Sequence, residues 1–504
     1  MNPYTVDILI RRSGRTLVDI EGFHLPKGTV TFLLGESGIG KSLSAKALFG
    51  LLETEEFDAR IDGRPYIEHC ATPLAERFLR EGFFVFQEPS THLNPLMRLE
   101  EQLEEGSLAG APGRAEILRH LWRDSRPGDV RELLEVYPKP NRPSGGEKQR
   151  VLCAMAFLKM ELAARHGAAD PLFIFDEPTG NLDNRYRDLV LEEILRHFRQ
   201  FQPTVLLITH DYSMISWVTR RHADILRKIN FVEFSIEEGR GRLRSFQPRT
   251  YLNWLTAQKP ARTSQTALHP PVLRVESGVT VYGRTLSFSR SPGGEPCPLV
   301  LHRAAMTYLK APSGTGKTTI VKILMGLVRG GNLRMQLGSG TITEATPART
   351  WRERIWGKRM TMVFQHADEA LNLRSRVREV FEGLPVRDSL TTEALSAEVL
   401  RFFGGAIPRG FLDQEVATLS GGQKQRLNLL RSLLLDADVL ILDEPLNGLD
   451  FASMQRVLEL LERKVKEGRA LLVISHNEEI FDALIAPENV YYLSASFPEE
   501  RSPA

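Results

Sequence analysis

Two glycine-rich loops, each ending in a lysine and a hydroxyl residue, have the composition of phosphate-binding loops. Residues 35–42 have the sequence GESGIGKS, and residues 311–318 have the sequence APSGTGKT. Each loop follows an apolar, β-rich run and precedes apolar residues at helical spacing, which is the context that a phosphate-binding loop requires. Backbone N–H groups and the helix N-terminus would bind phosphate oxygens, and Lys41 and Lys317 would contact the β- and γ-phosphates. The predicted phosphate-binding residues are Gly35, Glu36, Ser37, Gly38, Ile39, Gly40, Lys41, Ser42, Ala311, Pro312, Ser313, Gly314, Thr315, Gly316, Lys317 and Thr318.

Acidic pairs follow two other apolar runs and predict a hydrolytic centre. The runs at 171–175 and 439–442 each end in Asp-Glu-Pro. An aspartate at the C-terminal end of a strand beside the loop is placed to hold Mg²⁺ together with the loop hydroxyl, and the next glutamate can accept a proton from an attacking water. The predicted metal ligands are Ser42, Asp176, Thr318 and Asp443, and the predicted bases are Glu177 and Glu444. His210 and His476, each placed after an apolar run at a matched distance from its aspartate, are predicted to contact the γ-phosphate.

The order of these motifs repeats along the chain. Five motifs recur at an offset of about 276 residues that falls to about 267 after the third motif, so about nine extra residues belong to the first copy. The residues 161–169 are the expected insertion, as a helix extension and loop. A polar, proline-bearing stretch separates the copies. We expect a first domain at 1–256, a linker at 257–271 and a second domain at 272–504.

Composition sets limits on the class of protein. A chain of 504 residues with 42% hydrophobic residues is long enough for two domains. A formal net charge of +2 gives no electrostatic case for nucleic acid as a partner. Three scattered cysteines argue against a disulfide framework or zinc ribbon. No leader sequence and no apolar run of membrane-spanning length is expected, so a transport pore would belong to another chain.

The stretch Leu419-Ser-Gly-Gly-Gln423 resembles the signature of the ATP-binding cassette family, and the likeness extends over nearly the whole chain, twice. The resemblance implies an α/β fold of two tandem P-loop NTPase domains, each with a mixed-sheet core and a helical subdomain, that bind ATP and Mg²⁺ and hydrolyse ATP. It also implies that two cassettes pair head to tail. Pairing within one chain is favoured over pairing between chains, and both alternatives stay open. Each signature would then bind the γ-phosphate held by the other cassette's lysine. The signature residues so assigned are Ser144, Gly145, Gly146, Ser420, Gly421, Gly422 and Gln423.

Further residues acquire roles from the same resemblance. Gln87 and Gln365 match the glutamines that sense Mg²⁺ and contact the permease, so they join the catalytic and metal sets. Tyr282 matches the aromatic residue that stacks on adenine. In the first copy the corresponding place falls near Arg12, where an arginine could stack instead. The D-loop aspartates of the family match Asp183 and Asp450.

The stretch 86–95, FQEPSTHLNP, is similar to the segment after this glutamine in oligopeptide, dipeptide and nickel importers. This resemblance implies an ATPase on the cytoplasmic face of the cell membrane that works with permease subunits and an external solute-binding protein. The C-terminal cysteine-rich segment of many such importers is absent from the sequence. Two alternatives stay open: a soluble tandem cassette that acts on ribosomes, and a subunit of a phosphonate-processing complex.

The two expected ATP sites differ in their motifs. The first signature has Pro143 and Glu147 where the second has leucine and glutamine, and the second loop has Ala311 where the first has glycine. In a head-to-tail pair all three departures fall on one site. Glu147 would place negative charge near phosphate and weaken anion binding. We therefore expect the intact site, with Glu177 as base, to carry most of the hydrolysis.

Overall fold

The computed structural model of the protein describes residues 4–107, 112–123, 130, 132–136, 139–180, 184–237, 240–258, 270–312, 314–384, 391–404 and 410–497. The chain divides into two compact units, Met1–Tyr251 and Leu252–Ala504. Most of the expected linker, residues 259–269, lies outside the described part of the chain. Among the described residues, no helix combines the length and the apolar character needed to cross a bilayer.

The first unit is built on a ten-stranded mixed sheet whose strand order is β5-β4-β1-β2-β10-β9-β3-β8-β7-β6. Its strands are β1 Tyr4–Arg12, β2 Arg15–Leu25, β3 Val30–Gly35, β4 Asp58–Ile61, β5 Arg64–Pro65, β6 Phe83–Val85, β7 Leu172–Asp176, β8 Thr204–Ile208, β9 Ile229–Glu237 and β10 Arg240–Ser245. Strands β3, β7 and β8 are buried along their whole length, as expected for parallel strands covered by helices on both faces. Their carboxyl ends therefore meet at one edge, where the phosphate loop begins.

The helices of the first unit follow the motif order. They are Lys41–Phe49, Tyr66–Cys70, Pro73–Glu81, Leu99–Ser107, Pro112–Leu121, Gly145–Arg165, Asn184–Phe201 and Ser213–Arg221, with 3-10 turns at Pro89–Thr91 and Ala223–Lys228 and a π turn at Glu132–Val136. A further helix, Pro248–Ala257, contains the boundary between the two units. The helix Gly145–Arg165 is longer than its counterpart Gly421–Leu434. Its added turns and the loop that follows confirm the expected insertion at 161–169.

The second unit has the same plan with its sheet in two parts. Strands β14-β11-β16-β17 form one sheet, and β12-β13-β21-β15-β20-β19-β18 form the other. The strands are β11 Pro271–Val275, β12 Val279–Val281, β13 Arg284–Ser289, β14 Leu299–His302, β15 Ala305–Lys310, β16 Arg334–Leu337, β17 Gly340–Thr343, β18 Met360–Val363, β19 Val439–Asp443, β20 Ala470–Ile474 and β21 Val490–Ser496. The pairs β15–β20, β15–β21, β18–β19 and β19–β20 are parallel and β13–β21 is antiparallel, which confirms the predicted mixed α/β core.

Helices again surround the parallel strands of the second unit. They are Lys317–Leu324, Ala348–Thr350, Thr392–Phe403, Gly421–Leu434, Phe451–Lys466 and Glu478–Leu484, with 3-10 turns at Ala367–Glu369, Arg378–Phe381, Phe411–Asp413, Val416–Thr418 and Pro487–Asn489 and a π turn at Trp351–Ile355. Each unit has its own core of buried aliphatic and aromatic side chains between sheet and helices. Such a core holds the strand ends rigidly, and the site residues extend from those ends.

Candidate functional site

The phosphate loop of the first unit is shaped by glycines in backbone conformations that other residues avoid. Gly35 has a φ of 136°, and Gly38 and Gly40 have φ values of 81° and 106°. A Cβ atom on Gly35 would lie 2.4 Å from the carbonyl oxygen of Phe234. Lys41 begins the helix after the loop and donates 2.7 Å hydrogen bonds to the carbonyl oxygens of Gly35 and Glu36. The ammonium group is therefore held at the rim of the loop, where it can meet phosphate oxygens.

The loop of the second unit reaches a similar shape despite its alanine. Gly314 and Gly316 have φ values of 77° and 107°, whereas Ala311 does not have positive φ. Lys317 donates a 2.7 Å hydrogen bond to the carbonyl oxygen of Ala311. The substitution of alanine for the first glycine therefore costs little here, because this position avoids the left-handed region. Ser313 lies outside the described residues.

A hydroxyl and a buried aspartate meet beside each loop. Ser42 Oγ donates to Asp176 Oδ1 at 2.8 Å, and Thr318 hydrogen-bonds the carboxyl group of Asp443. Burial raises the pKa of Asp176 to about 6, although the Ser42 bond acts against this, and burial likewise raises the pKa of Asp443. Asp443 Oδ2 is buried without a hydrogen-bond partner. An unsatisfied buried carboxylate oxygen beside a hydroxyl fits a divalent cation such as Mg²⁺.

No three His, Cys, Asp or Glu side chains converge as a metal site within the described ranges. The aspartate and hydroxyl beside each loop would supply two ligands to Mg²⁺, which usually takes its other ligands from phosphate and water.

The first candidate base, Glu177, stands between a histidine and a glutamine. Its Oε1 lies 3.1 Å from His210 Nδ1, and its Oε2 accepts a 3.4 Å hydrogen bond from Gln87 Nε2. Burial raises the pKa of Glu177, but the charges of the His210 imidazolium and Lys41 lower it by more than burial raises it. The net shift of this pKa is therefore downward. Burial lowers the pKa of His210 and Glu177 raises it, with a net upward shift. Glu177 is therefore ionised at neutral pH and is held toward His210.

The second candidate base, Glu444, has a different set of partners. Its Oε2 accepts hydrogen bonds of 3.0 Å from the Ser475 hydroxyl and from the backbone N–H of His476, whereas Oε1 lies 3.5 Å from His476 Nε2. Burial raises the pKa of Glu444 to about 7, against the His476 backbone bond, Lys317 and the Ser475 bond. The Glu444 carboxyl group is therefore about half protonated at pH 7.

Both glutamates occupy strained backbone. Their φ values are 45° for Glu177 and 52° for Glu444, in the left-handed region that residues other than glycine seldom adopt. Such strain costs about 1–3 kcal/mol and tends to be found at functional sites. Both glutamates adopt this conformation at the matching place, directly after the strand that ends in aspartate.

Gln87 and Gln365, the glutamines matched to the family's Mg²⁺-sensing residues, follow the strands next to β7 and β19, which end in Asp176 and Asp443. Gln87 follows β6, which pairs in parallel with β7. Gln365 follows β18, which pairs in parallel with β19. Gln87 and Gln365 therefore occupy matching places in the two units, and Gln87 donates a hydrogen bond to Glu177.

The two signature serines cap the N-termini of helices. Ser144 and Ser420 are the N-cap residues of Gly145–Arg165 and Gly421–Leu434, and each forms a capping box with the residue three positions later. In the first unit that residue is Glu147, whose Oε2 accepts hydrogen bonds from Ser144 N at 2.7 Å and from Ser144 Oγ at 2.8 Å. In the second it is neutral Gln423. The first signature therefore has a carboxylate at the helix N-terminus where anions would otherwise bind.

Glycines occupy the first turn of each of these helices. They are Gly145, Gly146, Gly421 and Gly422. Asp450 is the N-cap residue of the helix Phe451–Lys466, and its Oδ1 accepts a 2.6 Å hydrogen bond from Ser453 N. Asp183 lies outside the described residues.

The predicted base-stacking residue lies at a hairpin turn. Tyr282 joins β12 to β13 and is 80% exposed. In the first unit Arg12 ends β1, and its guanidinium lies 3.0 Å from Glu56 and 5.5 Å from the ring centroid of Phe57.

Sequence reasoning missed one residue of this site, Ser475. The dipeptide Thr209-His210 recurs in the sequence as Ser475-His476, but this recurrence alone assigns no role to the hydroxyl residue. In the structure Ser475 contacts the base, whereas Thr209 Oγ1 accepts a 3.0 Å hydrogen bond from Asp211 N. A hydroxyl residue before the histidine in both copies was the available signal.

A glycine loop, a lysine at the start of the following helix, a hydroxyl–aspartate pair and a carboxylate poised for water define a P-loop nucleotide hydrolase, and the chain contains this set twice. The family model described as "ABC transporter" matches residues 19–180 and 296–447. The chain belongs to the ABC transporter family, and it is an ATPase.

Similar proteins cover most of the chain. The peptidoglycan transport ATP-binding protein YejF of Agrobacterium fabrum is 29% identical over 524 residues, which span 95% of this chain and 88% of the relative. The glutathione import ATP-binding protein GsiA of Pectobacterium atrosepticum is 26% identical over 526 residues, spanning 94% and 81%. The solved structure of an RNase-L Inhibitor matches with a TM-score of 0.60 at 20% identity over 96% of this chain and 89% of that one. This structural likeness shows the fold alone.

Proposed function

We propose that the protein is the ATP-hydrolysing subunit of a membrane importer and that it drives a separate permease by ATP turnover at two sites. The observation that carries the proposal is the duplicated set of loop lysine, hydroxyl–aspartate pair and strained glutamate. The names of the relatives, which concern peptidoglycan transport and glutathione import, support transport as the purpose of hydrolysis.

The hydrolytic step follows from the residues at each loop. Lys41 or Lys317 binds the β- and γ-phosphates, and the hydroxyl–aspartate pair would hold Mg²⁺, which neutralises charge on the phosphates when bound. A water oxygen attacks the γ-phosphorus while the bond to the bridging oxygen breaks and ADP leaves. Glu177 or Glu444 accepts the proton of that water. His210 and His476 contact the γ-phosphate oxygens.

The two sites are proposed to turn over at different rates. The two bases differ in ionisation, because Glu177 has a lowered pKa and is ionised at neutral pH, whereas Glu444 has a pKa of about 7. The carboxylate of Glu147 would weaken the site that Glu444 serves if the cassettes pair head to tail. Ala311 contributes little to this difference, because its φ is not positive.

The loop after Gln87 is the proposed contact with the permease. Gln102 is buried and holds this loop, since its Nε2 donates to the carbonyl oxygens of Asn94 and Met97 at 3.0 and 3.2 Å and its Oε1 accepts from Asn94 N at 2.9 Å. The adjacent Leu96 is 83% exposed. An exposed leucine on a fixed loop suits an apolar docking contact.

The proposed setting follows from this contact. The protein would lie on the cytoplasmic face of the cell membrane with permease subunits and an external solute-binding protein. The solute would be a peptide, nickel or a related small molecule, with peptide-like solutes favoured by the names of the relatives. The likeness to ribosome-associated tandem cassettes is a likeness of fold at 20% identity and does not favour that alternative.

Affinity purification of the full chain from native membranes tests the proposal. We expect a polytopic membrane protein to copurify and to raise the ATPase rate when its solute and binding protein are added. Copurification of ribosomal particles, with an ATPase rate that falls after ribonuclease treatment, would contradict the importer.

A further inference from the structure

In the first unit, Arg187 joins the helix that follows β7 to the segment that follows β8. Its Nη1 atom donates to Asp211 Oδ2 at 3.0 Å and to Ser213 Oγ at 2.8 Å. Its Nε and Nη2 atoms donate to Asp188 Oδ1 at 3.2 and 2.9 Å. Only 13% of the Arg187 side chain is exposed. Three side chains therefore fix the planar guanidinium, and two of them belong to the segment after β8.

The carboxylate of Asp211 is the centre of this contact. It also accepts hydrogen bonds at Oδ1 from the backbone N–H and the hydroxyl of Ser213, at 2.9 and 2.6 Å. Burial raises the pKa of Asp211, but the charge of Arg187 and the Ser213 bonds lower it by more, so the net shift is downward. Asp211 is therefore ionised at neutral pH and forms a true ion pair with Arg187.

The residue directly before this aspartate is His210, which contacts the candidate base of the first unit. His210 Nδ1 lies 3.1 Å from Glu177 Oε1, and 22% of the histidine side chain is exposed. The backbone N–H of Asp211 donates to Thr209 Oγ1 at 3.0 Å, which closes a turn around the histidine. Because Arg187 holds one residue of this turn, it restricts the backbone from which the imidazole extends.

The second unit has the same turn without the ion pair. At the places of Arg187 and Asp211, about 267 residues further on, it has Met454 and Asn477, and Met454 is buried. The backbone N–H of Asn477 still donates to the hydroxyl two residues earlier, at 3.1 Å. His476 turns Nε2 rather than Nδ1 toward its glutamate, at 3.5 Å, and 40% of its side chain is exposed. The histidine without the arginine is thus more exposed and farther from its base.

We propose that Arg187 is a positioning residue of the first ATP site, formed around Lys41 and Glu177, and that it acts through Asp211 on His210. Met454 and Asn477 cannot form this ion pair in the second unit. An imidazole that is already held in place gives up less freedom when it meets the γ-phosphate, so the benefit falls on the chemical step. The inference rests on the proposed role of His210 in hydrolysis.

Steady-state ATPase kinetics of the full-length Glu444→Gln chain test the inference, because this background leaves only the base of the first site. Arg187→Met supplies the side chain that the second unit has at this place. We expect kcat to fall about tenfold while KM changes by less than about twofold. Arg187→Lys keeps the charge and loses the planar fork, so its kcat should lie within about threefold of the background.

Two further variants separate positioning from folding. Arg187→Met combined with Asp211→Asn leaves no unpaired carboxylate in the fold. Its thermal unfolding midpoint should therefore return toward that of the background, while its kcat stays about tenfold low. Arg199→Met is a matched control, because Arg199 lies about three turns further along the same helix and pairs with Asp224 at 2.9 Å. This change should leave kcat and KM as they are.

Three results would overturn the inference. They are an unchanged kcat in Arg187→Met, a kcat that recovers together with stability in the double variant, and an equal loss of kcat in Arg199→Met. A His210→Ala chain distinguishes this failure from that of the proposed site. If His210→Ala kept the background rate, the role of His210 would be wrong and the inference with it. If His210→Ala lost kcat and Arg187→Met did not, the inference alone would be wrong.

Discussion

Replacing Gly35 by alanine should damage the first phosphate loop far more than the reverse change damages the second. The added Cβ would lie 2.4 Å from the carbonyl oxygen of Phe234, closer than van der Waals contact allows, and φ at this position is 136°. Gly35 lies opposite Phe234 in the β3–β9 ladder, so relief of the clash must open the end of that ladder. Backbone strain of this kind costs about 1–3 kcal/mol, and we expect Gly35→Ala to lower the free energy of unfolding by about 3 kcal/mol once the ladder shifts.

The matched change is Ala311→Gly in the second unit. Ala311 has no positive φ, so glycine removes no strain and only adds chain entropy to the unfolded state, at a cost of about 0.5–1 kcal/mol. Because the loop carries Lys41 on its far side, a displacement of about 1 Å in Gly35→Ala should weaken productive ATP binding by about 100-fold. Ala311→Gly should change ATP binding by less than threefold, at about 0.6 kcal/mol.

Hydrogen exchange and nucleotide binding together measure both effects. Peptides from β3 and β9 should exchange faster in Gly35→Ala, whereas peptides from the second unit should keep the exchange rates of the parent. ATP binding is followed in the Lys317→Ala background, which isolates the first site. A Gly35→Ala chain with parental exchange in β3 and parental ATP affinity would refute the reasoning.

Two further predictions concern single hydrogen bonds. Ser475→Ala removes a bond that lowers the pKa of Glu444, so that pKa should rise above about 7. The effect is measured in a Glu177→Gln chain, in which only Glu444 can act as base. Because the base must be ionised, Ser475→Ala should shift the pH–rate profile of this chain to higher pH and lower its rate at pH 7, whereas Ser475→Thr should keep the profile unchanged. A shift to lower pH would contradict the assignment. Gln102→Ala removes three hydrogen bonds that hold the loop around Asn94, at a local cost of about 1–3 kcal/mol. The change should leave the ATPase rate of the isolated chain unchanged and lower the stimulation of that rate by the permease. Equal stimulation of parent and variant would count against the docking loop.

Much of this architecture could be predicted from short patterns, because the patterns are local. The apolar runs before Asp176 and Asp443 are buried parallel strands, and the glycine loops end where helices begin. The capping box at Ser420 follows from a serine with glutamine three residues later. In each case neighbouring residues alone determine the local structure.

Other features depend on contacts that no pattern in one sequence specifies. The φ of Ala311, which decides what alanine costs at this position, is a property of the folded loop that the sequence alone does not give. The different pKa values of Glu177 and Glu444 arise from the side-chain directions toward His210 and Ser475, which lie more than thirty residues away along the chain.

Initial ATPase rates of the assembled complex, with Glu177→Gln, Glu444→Gln and the two changes combined, test the central claim most directly. The account predicts that the double variant loses about 100-fold or more of the parental rate. It also predicts that Glu177→Gln alone removes most of the activity and Glu444→Gln the smaller part, because in a head-to-tail pair the Glu147 carboxylate falls on the site that Glu444 serves and weakens anion binding there. A double variant that hydrolyses ATP at the parental rate would contradict the assignment of both bases, and equal losses from the single changes would contradict the proposed difference between the sites.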